Sequence, residues 1–159
     1  MSTSNRNPRR RFMCVAAAIG LPSLDANSQP ASSRLSVDSS TALKVRIIIG
    51  DKSIPVTLDN NDTARDFVAL LPLSLTLEDY AATEKVATLE RRLTTAGAPA
   101  GTTPAVGDFS YYAPWGNLAI FYKPFRYSAG LIRLGRIDNG VELLQVEGRI
   151  PVRIEVQPH

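Results

Sequence analysis

A mainly β domain, closed into a barrel of about eight strands with one or two short helices, is the fold class this sequence predicts. Three observations carry the prediction. Short apolar segments recur along residues 43–157, separated by Gly and Pro signals. Several of them alternate apolar and polar residues with period two, as a strand with one buried face requires. At 159 residues the chain is long enough for one hydrophobic core and short for two. Closure removes the exposed edges that an open sheet of such strands would present.

Lys44-Val-Arg-Ile-Ile-Ile49 reads as a strand, Gly50-Asp51-Lys52-Ser53 as a turn, and Ile54-Pro-Val-Thr-Leu58 as the returning strand of a hairpin. Pro55 lacks a ladder donor and so marks the second strand as an edge or a strand start. Thr63, with Asp66 three residues on, reads as a capped helix start. Ala64, Phe67, Val68 and Leu71 then fall on one helical face, and Pro72 ends the run. A helix this short is held by packing onto a sheet. Leu73-Ser-Leu-Thr-Leu77 alternates as a half-buried strand. Glu78 to Glu84 reads as a polar, helix-compatible turn, Lys85 to Leu93 is ambiguous, and Thr95 to Pro104 is a loop by composition. Four more strand-like segments follow: Phe109 to Ala113, Asn117 to Lys123, Leu131 to Asp138 and Arg149 to Gln157.

Ahead of the domain, residues 1–31 have the order of an export signal: a basic stretch to Arg11, an alanine-rich apolar stretch from Phe12 to Leu24, then small polar residues with proline. Arg9-Arg10-Arg11-Phe12-Met13 resembles the twin-arginine consensus, with Pro8 where Ser or Thr is usual. The apolar stretch spans about 20 Å as a helix against a roughly 30 Å hydrocarbon core, too little for a stable membrane anchor. Cleavage after Ala26, Ser28 or Ala31 is compatible with the sequence. Residues 32–42 read as a disordered linker. The expectation is a periplasmic or secreted domain whose leader engages the export machinery. Cys14 follows Arg11-Phe12-Met13 rather than a Leu/Ala/Gly run, which argues against lipidation, and as the single cysteine it excludes an intramolecular disulfide.

Charge narrows the partners. Residues 1–42 hold five arginines against two aspartates, which is the whole formal excess of +3, while the rest of the chain balances 13 basic with 13 acidic side chains. A neutral body lacks the electrostatic footprint of phosphate-backbone binding, so no nucleic-acid partner is expected.

Gly107-Asp108-Phe109-Ser110-Tyr111-Tyr112-Ala113-Pro114-Trp115-Gly116-Asn117-Leu118-Ala119-Ile120-Phe121-Tyr122, followed by Leu131-Ile132-Arg133-Leu134-Gly135-Arg136-Ile137, resembles the bacterial cyclophilin-like domain family. The Lys44 to Leu58 hairpin, the Thr63 to Leu71 helix and the Gly97 to Gly101 loop fit the same pattern, over about Leu43 to Val156. The resemblance implies a closed cyclophilin-like barrel with a helix at its end, and no generally established activity. True cyclophilins are peptidyl-prolyl isomerases whose arginine, in a Phe-His-Arg-x-Ile-Pro segment, weakens an amide behind a roughly 18–20 kcal/mol barrier. No such segment occurs here, and the glutamine and glycines expected before Gly107-Asp108-Phe109 are Pro104, Ala105 and Val106. No catalytic residue is therefore assigned.

Other chemistries lack their residues. The only histidine is His159, which removes the base of a hydrolytic triad and the imidazoles of a zinc or non-haem iron site. Phosphate-cradling glycine loops are absent, and Gly97-Ala-Pro-Ala-Gly101 opens no helix. No cofactor or metal is indicated. Asp79 and Glu84 are candidates for acid–base work, although polar turn residues are ordinarily solvated.

The aromatic stretch remains. Tyr111, Tyr112, Trp115, Phe121 and Tyr122 fall within twelve positions, and alternation sends neighbours to opposite sheet faces. Some fill the barrel. Tyr80, Tyr111, Trp115, Asn117, Tyr122 and Arg133 are the candidates for a pocket at the barrel mouth, an apolar wall with a few placed polar groups. The expected function is a non-catalytic module for a small molecule or an extended peptide. The alternatives are a peptidyl-prolyl isomerase and a periplasmic structural or assembly partner.

Overall fold

The computed structural model describes residues 42–158; the leader, with Arg9, Arg10, Arg11 and Phe12, and His159 lie outside the described residues. The elements are β1 (Lys44–Ile49), β2 (Lys52–Leu58), α1 (Asp62–Val68), β3 (Leu73–Tyr80), β4 (Glu84–Thr88), β5 (Gly101–Thr102), β6 (Asp108–Tyr112), β7 (Asn117–Phe121), β8 (Ser128–Ala129), β9 (Leu131–Ile137), a 3-10 turn (Val141–Leu144) and β10 (Ile150–Val156). Eight strands close a barrel in the order β1-β10-β3-β4-β7-β6-β9-β2, and β5 and β8 form a separate two-stranded pair. Every pairing is antiparallel.

The β1–β2 hairpin turns at Gly50, whose φ of +58° suits a residue without Cβ. Cross-strand pairs Ile47–Ile54 and Val45–Val56 send four β-branched side chains into the barrel. Closure corrects the edge expected at Pro55, because β2 lies between β1 and β9. Proline is tolerated there for a local reason. Its carbonyl accepts from the Asp138 N–H at 2.9 Å, just past the last β2–β9 pair, Val56–Ile137. The ring's missing donor thus falls where that ladder has ended.

The helix starts earlier than expected. Its N-cap is Asn61, whose Oδ1 accepts from the Ala64 N–H at 2.8 Å; Thr63 lies inside the helix and is buried. Asp66, instead of closing a capping box, accepts from the Thr94 N–H at 2.8 Å and pairs with Arg91. Ala64 and Phe67 supply the buried face, and Phe67 meets Phe109 edge-on at 5.3 Å. The helix therefore plugs onto the barrel core, as its short length demands.

The segment 78–84 is not helical. β3 runs on to Tyr80, and Ala81 and Ala82, with φ of +51° and +52°, make a tight reversal into β4. The Thr83 N–H and hydroxyl close it by donating to the Tyr80 and Ala81 carbonyls. The ambiguous stretch after it becomes β4, and the loop before Pro104 contributes β5.

Between β6 and β9 the register shifts: Phe109 faces Gly135 while Ser110 faces Arg133, leaving Leu134 as a bulge. β2 packs against that bulge so closely that a Cβ on Gly135 would sit 2.3 Å from the Thr57 carbonyl oxygen and 2.8 Å from Leu58 Cα. Gly135→Ala is accordingly expected to force β2 and β9 apart and to lower unfolding free energy by about 1–3 kcal/mol, the range of overpacked cores. Urea denaturation of the two proteins measures it, and an unchanged midpoint would show that the strands can separate without cost.

Candidate functional site

Alternation sorts the residues of β7. Leu118 and Ile120 point into the barrel core, while Ala119 and Phe121 point outward and are buried all the same, in a second apolar cluster with Leu131. Val86 and Tyr112 pack against that cluster from β4 and β6. This outer cluster is the floor of a groove on the barrel wall, with a cavity of about 220 Å³. Phe125, Arg126 and Ser128 complete one side of it.

Three rings wall the groove. Trp115 stands edge-on to Tyr80 at 5.5 Å and to Tyr112 at 5.3 Å, with planes 83° and 84° apart. Such T-shaped pairs contribute about 0.5–1.5 kcal/mol each beyond burial. Even so, Trp115 remains 57% and Tyr80 43% exposed. Both are supplied by reversals: Tyr80 precedes the Ala81-Ala82 turn, and Trp115 lies in the turn joining β6 to β7, where Gly116 has a φ of +71°.

Two polar groups of the groove have unmet capacity. Asn117 is only 6% exposed, and its Oδ1 has no hydrogen-bond partner among the described residues. Glu84 shares the outer face of β4 with Val86 and makes no ion pair among the described residues. Burial pushes its carboxyl up to about 7. Arg126 does not relieve it, since its guanidinium lies instead over the Phe125 ring, 5.3 Å from the centroid.

Of the six residues expected to line a pocket, the groove brings together Tyr80, Trp115 and Asn117. It lies on the outer wall rather than at the barrel mouth. Tyr111 is elsewhere: it is 1% exposed inside the barrel, its hydroxyl accepting from the Leu93 N–H at 3.1 Å. Tyr122 is consumed by a brace, donating to Asp79 at 3.0 Å. Arg133 pairs with Asp59 at 2.7 Å in a different cleft, beside the start of α1. The sequence reading missed Phe125 and Arg126, and it named Glu84 only as an acid–base candidate and Tyr112 only as part of the aromatic stretch, without placing either in the pocket. A signal for Tyr112 existed, because an antiparallel return across Ala113–Gly116 places residue 112 opposite Asn117, as observed.

The brace explains why Asp79 and Glu84 are not a carboxylate pair. Asp79 pairs across the hairpin with Lys85, and Tyr80 with Glu84, so the two carboxylates stand on opposite faces. Lys85 is 0% exposed; its ammonium meets Asp79 at 2.8 Å and donates to the Val146 and Gly148 carbonyls at 2.6 and 3.0 Å. Those bonds satisfy a buried cation that would otherwise be costly. The Lys85 hydrogen bond holds the Asp79 carboxyl below its ordinary range, and burial, with Asp79 beside it, raises the Tyr122 phenol. Asp108 is likewise structural, accepting from the Ala105 N–H at 2.9 Å and pairing with Arg136 at 3.0 Å. Two wider clefts of about 540 Å³ include these already paired groups, Asp79 with Tyr122 and Asp59 with Arg133. Among the described residues, no group of three or more His, Cys, Asp or Glu is placed to hold a metal ion.

Comparison with known proteins bears on this fold. The model of a family described as the cyclophilin-like family matches residues 47–155. The solution structure of a hypothetical protein from Archaeoglobus fulgidus superposes with a TM-score of 0.55 at 20% identity, covering 73% of this chain and 95% of that one, which is a likeness of fold. No curated protein matches the chain.

Glu84 sets a pH dependence whose sign follows from its raised pKa. The folded state holds a proton between the ordinary value of 4.5 and about 7 that the unfolded state has released, so stability falls as pH rises through that window. Glu84→Gln is expected to flatten this part of the stability–pH curve, read by urea midpoints at pH 5 and 8. A wild-type curve that rises instead would mean the carboxylate is paired in solution.

Proposed function

The chain belongs to the cyclophilin-like family, and on that premise we propose that it is a non-catalytic binding module, exported to the periplasm or secreted, whose outer-wall groove takes a small molecule or one anchoring side chain of an extended peptide. The observation that carries the reading is the trio Trp115, Tyr80 and Tyr112, set at right angles around a hollow of about 220 Å³ and left half open to solvent. Exposed aromatic walls over an apolar floor, with few polar groups, are the common make-up of ligand sites. The size suits one compact apolar group. Export rests on the Arg9-Arg10-Arg11-Phe12 leader.

A second reading draws on Arg126. It is the one cation lining the groove among the described residues, and a guanidinium beside an apolar hollow is what isomerisation of a prolyl bond would use. A protease-coupled proline assay separates the two: the binding module leaves the uncatalysed rate unchanged, and acceleration lost in Arg126→Ala would establish the isomerase.

Trp115 is the single tryptophan of the chain, so its fluorescence reports on the groove directly. Titration with a library of small apolar ligands and short peptides is expected to shift that emission. By calorimetry, Trp115→Ala should weaken the same ligands at least tenfold, about 1.4 kcal/mol, while Arg133→Ala leaves them unchanged. Binding that persists in Trp115→Ala would remove the groove from consideration.

A further inference from the structure

One polar group of the groove stands out, the Glu84 carboxylate, because the Arg126 guanidinium is turned over the Phe125 ring. Glu84 offers carboxylate oxygens that make no ion pair among the described residues. A ligand that meets this demand brings positive charge or donors, since a buried acceptor left unmet is unfavourable. The walls point the same way. Ring faces carry the negative part of the aromatic quadrupole, and a cation within about 6 Å of such a face is attracted to it. Trp115, Tyr80, Tyr112 and Phe125 bring four rings to one cavity, and Arg126 already rests its guanidinium over the last of them. An ordinary apolar pocket needs no carboxylate; a cation cage does.

We infer that the groove selects an organic ammonium ion, a methylated amine head or the ammonium of a lysine-like side chain, held by the Trp115–Tyr80–Tyr112 walls and neutralised by Glu84. The inference rests on the groove being the binding site and goes further in naming the charge of its ligand. Arg126 sits at the rim as the competing cation. Its arm belongs to the 123–128 segment, and its guanidinium lies over the Phe125 ring without pairing with Glu84, so that charge stays available.

The groups around Glu84 decide how pH acts. Across the ladder it faces Tyr80 on β3 and Phe121 on β7; the Tyr122 phenol lies near enough to feel its charge, Arg126 approaches from the covering segment, and Lys85 is turned to the other face. With the carboxyl raised to about 7, ionisation grows from pH 6 to pH 8. The affinity for a cation grows with it, by up to about tenfold.

The test compares choline with its uncharged isostere 3,3-dimethylbutan-1-ol by calorimetry on the full chain at pH 6 and 8. The expected result is choline binding at pH 8 at least tenfold tighter than the isostere, weakening toward pH 6, with the isostere indifferent to pH. Glu84→Gln should abolish both the preference and the pH dependence. Tyr80→Leu, which leaves the carboxylate in place, should weaken choline without weakening the isostere. Equal binding of the two probes, or apolar peptides binding where choline does not, would overturn the ammonium assignment and leave the groove intact. If neither these probes nor the peptide library perturbs Trp115 emission, the groove itself fails as a site and the inference falls with it.

Discussion

The burial of β7 on both faces is the constraint on which the rest of the molecule depends. A strand in a small barrel normally gives one face to the core and the other to water. Here Leu118 and Ile120 fill the interior while Ala119 and Phe121 are covered from outside. Leu131, Val86 and Tyr112 pack beside them, and Phe125, Arg126 and Ser128 of the segment after β7 line the same face; that segment is tied to the loop before β6. β5 pairs with β8, the Gly130 N–H donates to the Ala100 carbonyl at 2.8 Å, and Gly101 approaches so closely that a Cβ would lie 2.3 Å from the Ser128 carbonyl oxygen. The groove lies between the 125–128 segment and the β4–β7–β6 wall.

The β3–β4 hairpin shows how one local geometry sends two carboxylates to opposite fates. On its inner side Asp79 meets Lys85, Tyr122 and the Gly148 N–H, a closed set in which every charge has a partner. On its outer side Glu84 meets aromatic and aliphatic surface. The first ties residues 146–148 to the barrel and fixes the hairpin. That fixation holds the Tyr80 ring and the Glu84 carboxylate at the groove, so the structural ion pair supports the unpaired acid one residue away.

Much of the barrel was legible because strands advertise themselves by alternation and by the glycines between them, and the β1–β2 hairpin and β9 lie close to where those signals place them. The β3–β4 reversal was not, for a physical reason: left-handed turn positions are usually marked by Gly or Asn, and here two alanines occupy them. The helix cap was displaced for a similar reason, since Asn61 and Thr63 are both competent caps and only the chain path chooses Asn61. At the groove, sequence could rank Trp115, Tyr80 and Asn117 as polar-aromatic candidates, yet it could not tell Tyr111 from Tyr112 without the strand pairing. Tyr122 and Arg133 look equally available in sequence. Their long-range partners, Asp79 and Asp59, remove them.

The ring is sealed by its first and last staves. Val45 pairs with Val156, and the Gln157 N–H donates to the Lys44 carbonyl at 2.9 Å. A nascent chain still lacking residues 150–156 therefore leaves β1 and β3 each with a bare flank, and the cylinder becomes whole only after the final strand has emerged from the ribosome. The same adjacency makes the order of threading dispensable to the architecture: a circular permutant joined between Gln157 and Lys44 and opened at Gly50–Asp51 would rebuild the same eight contacts around the wall.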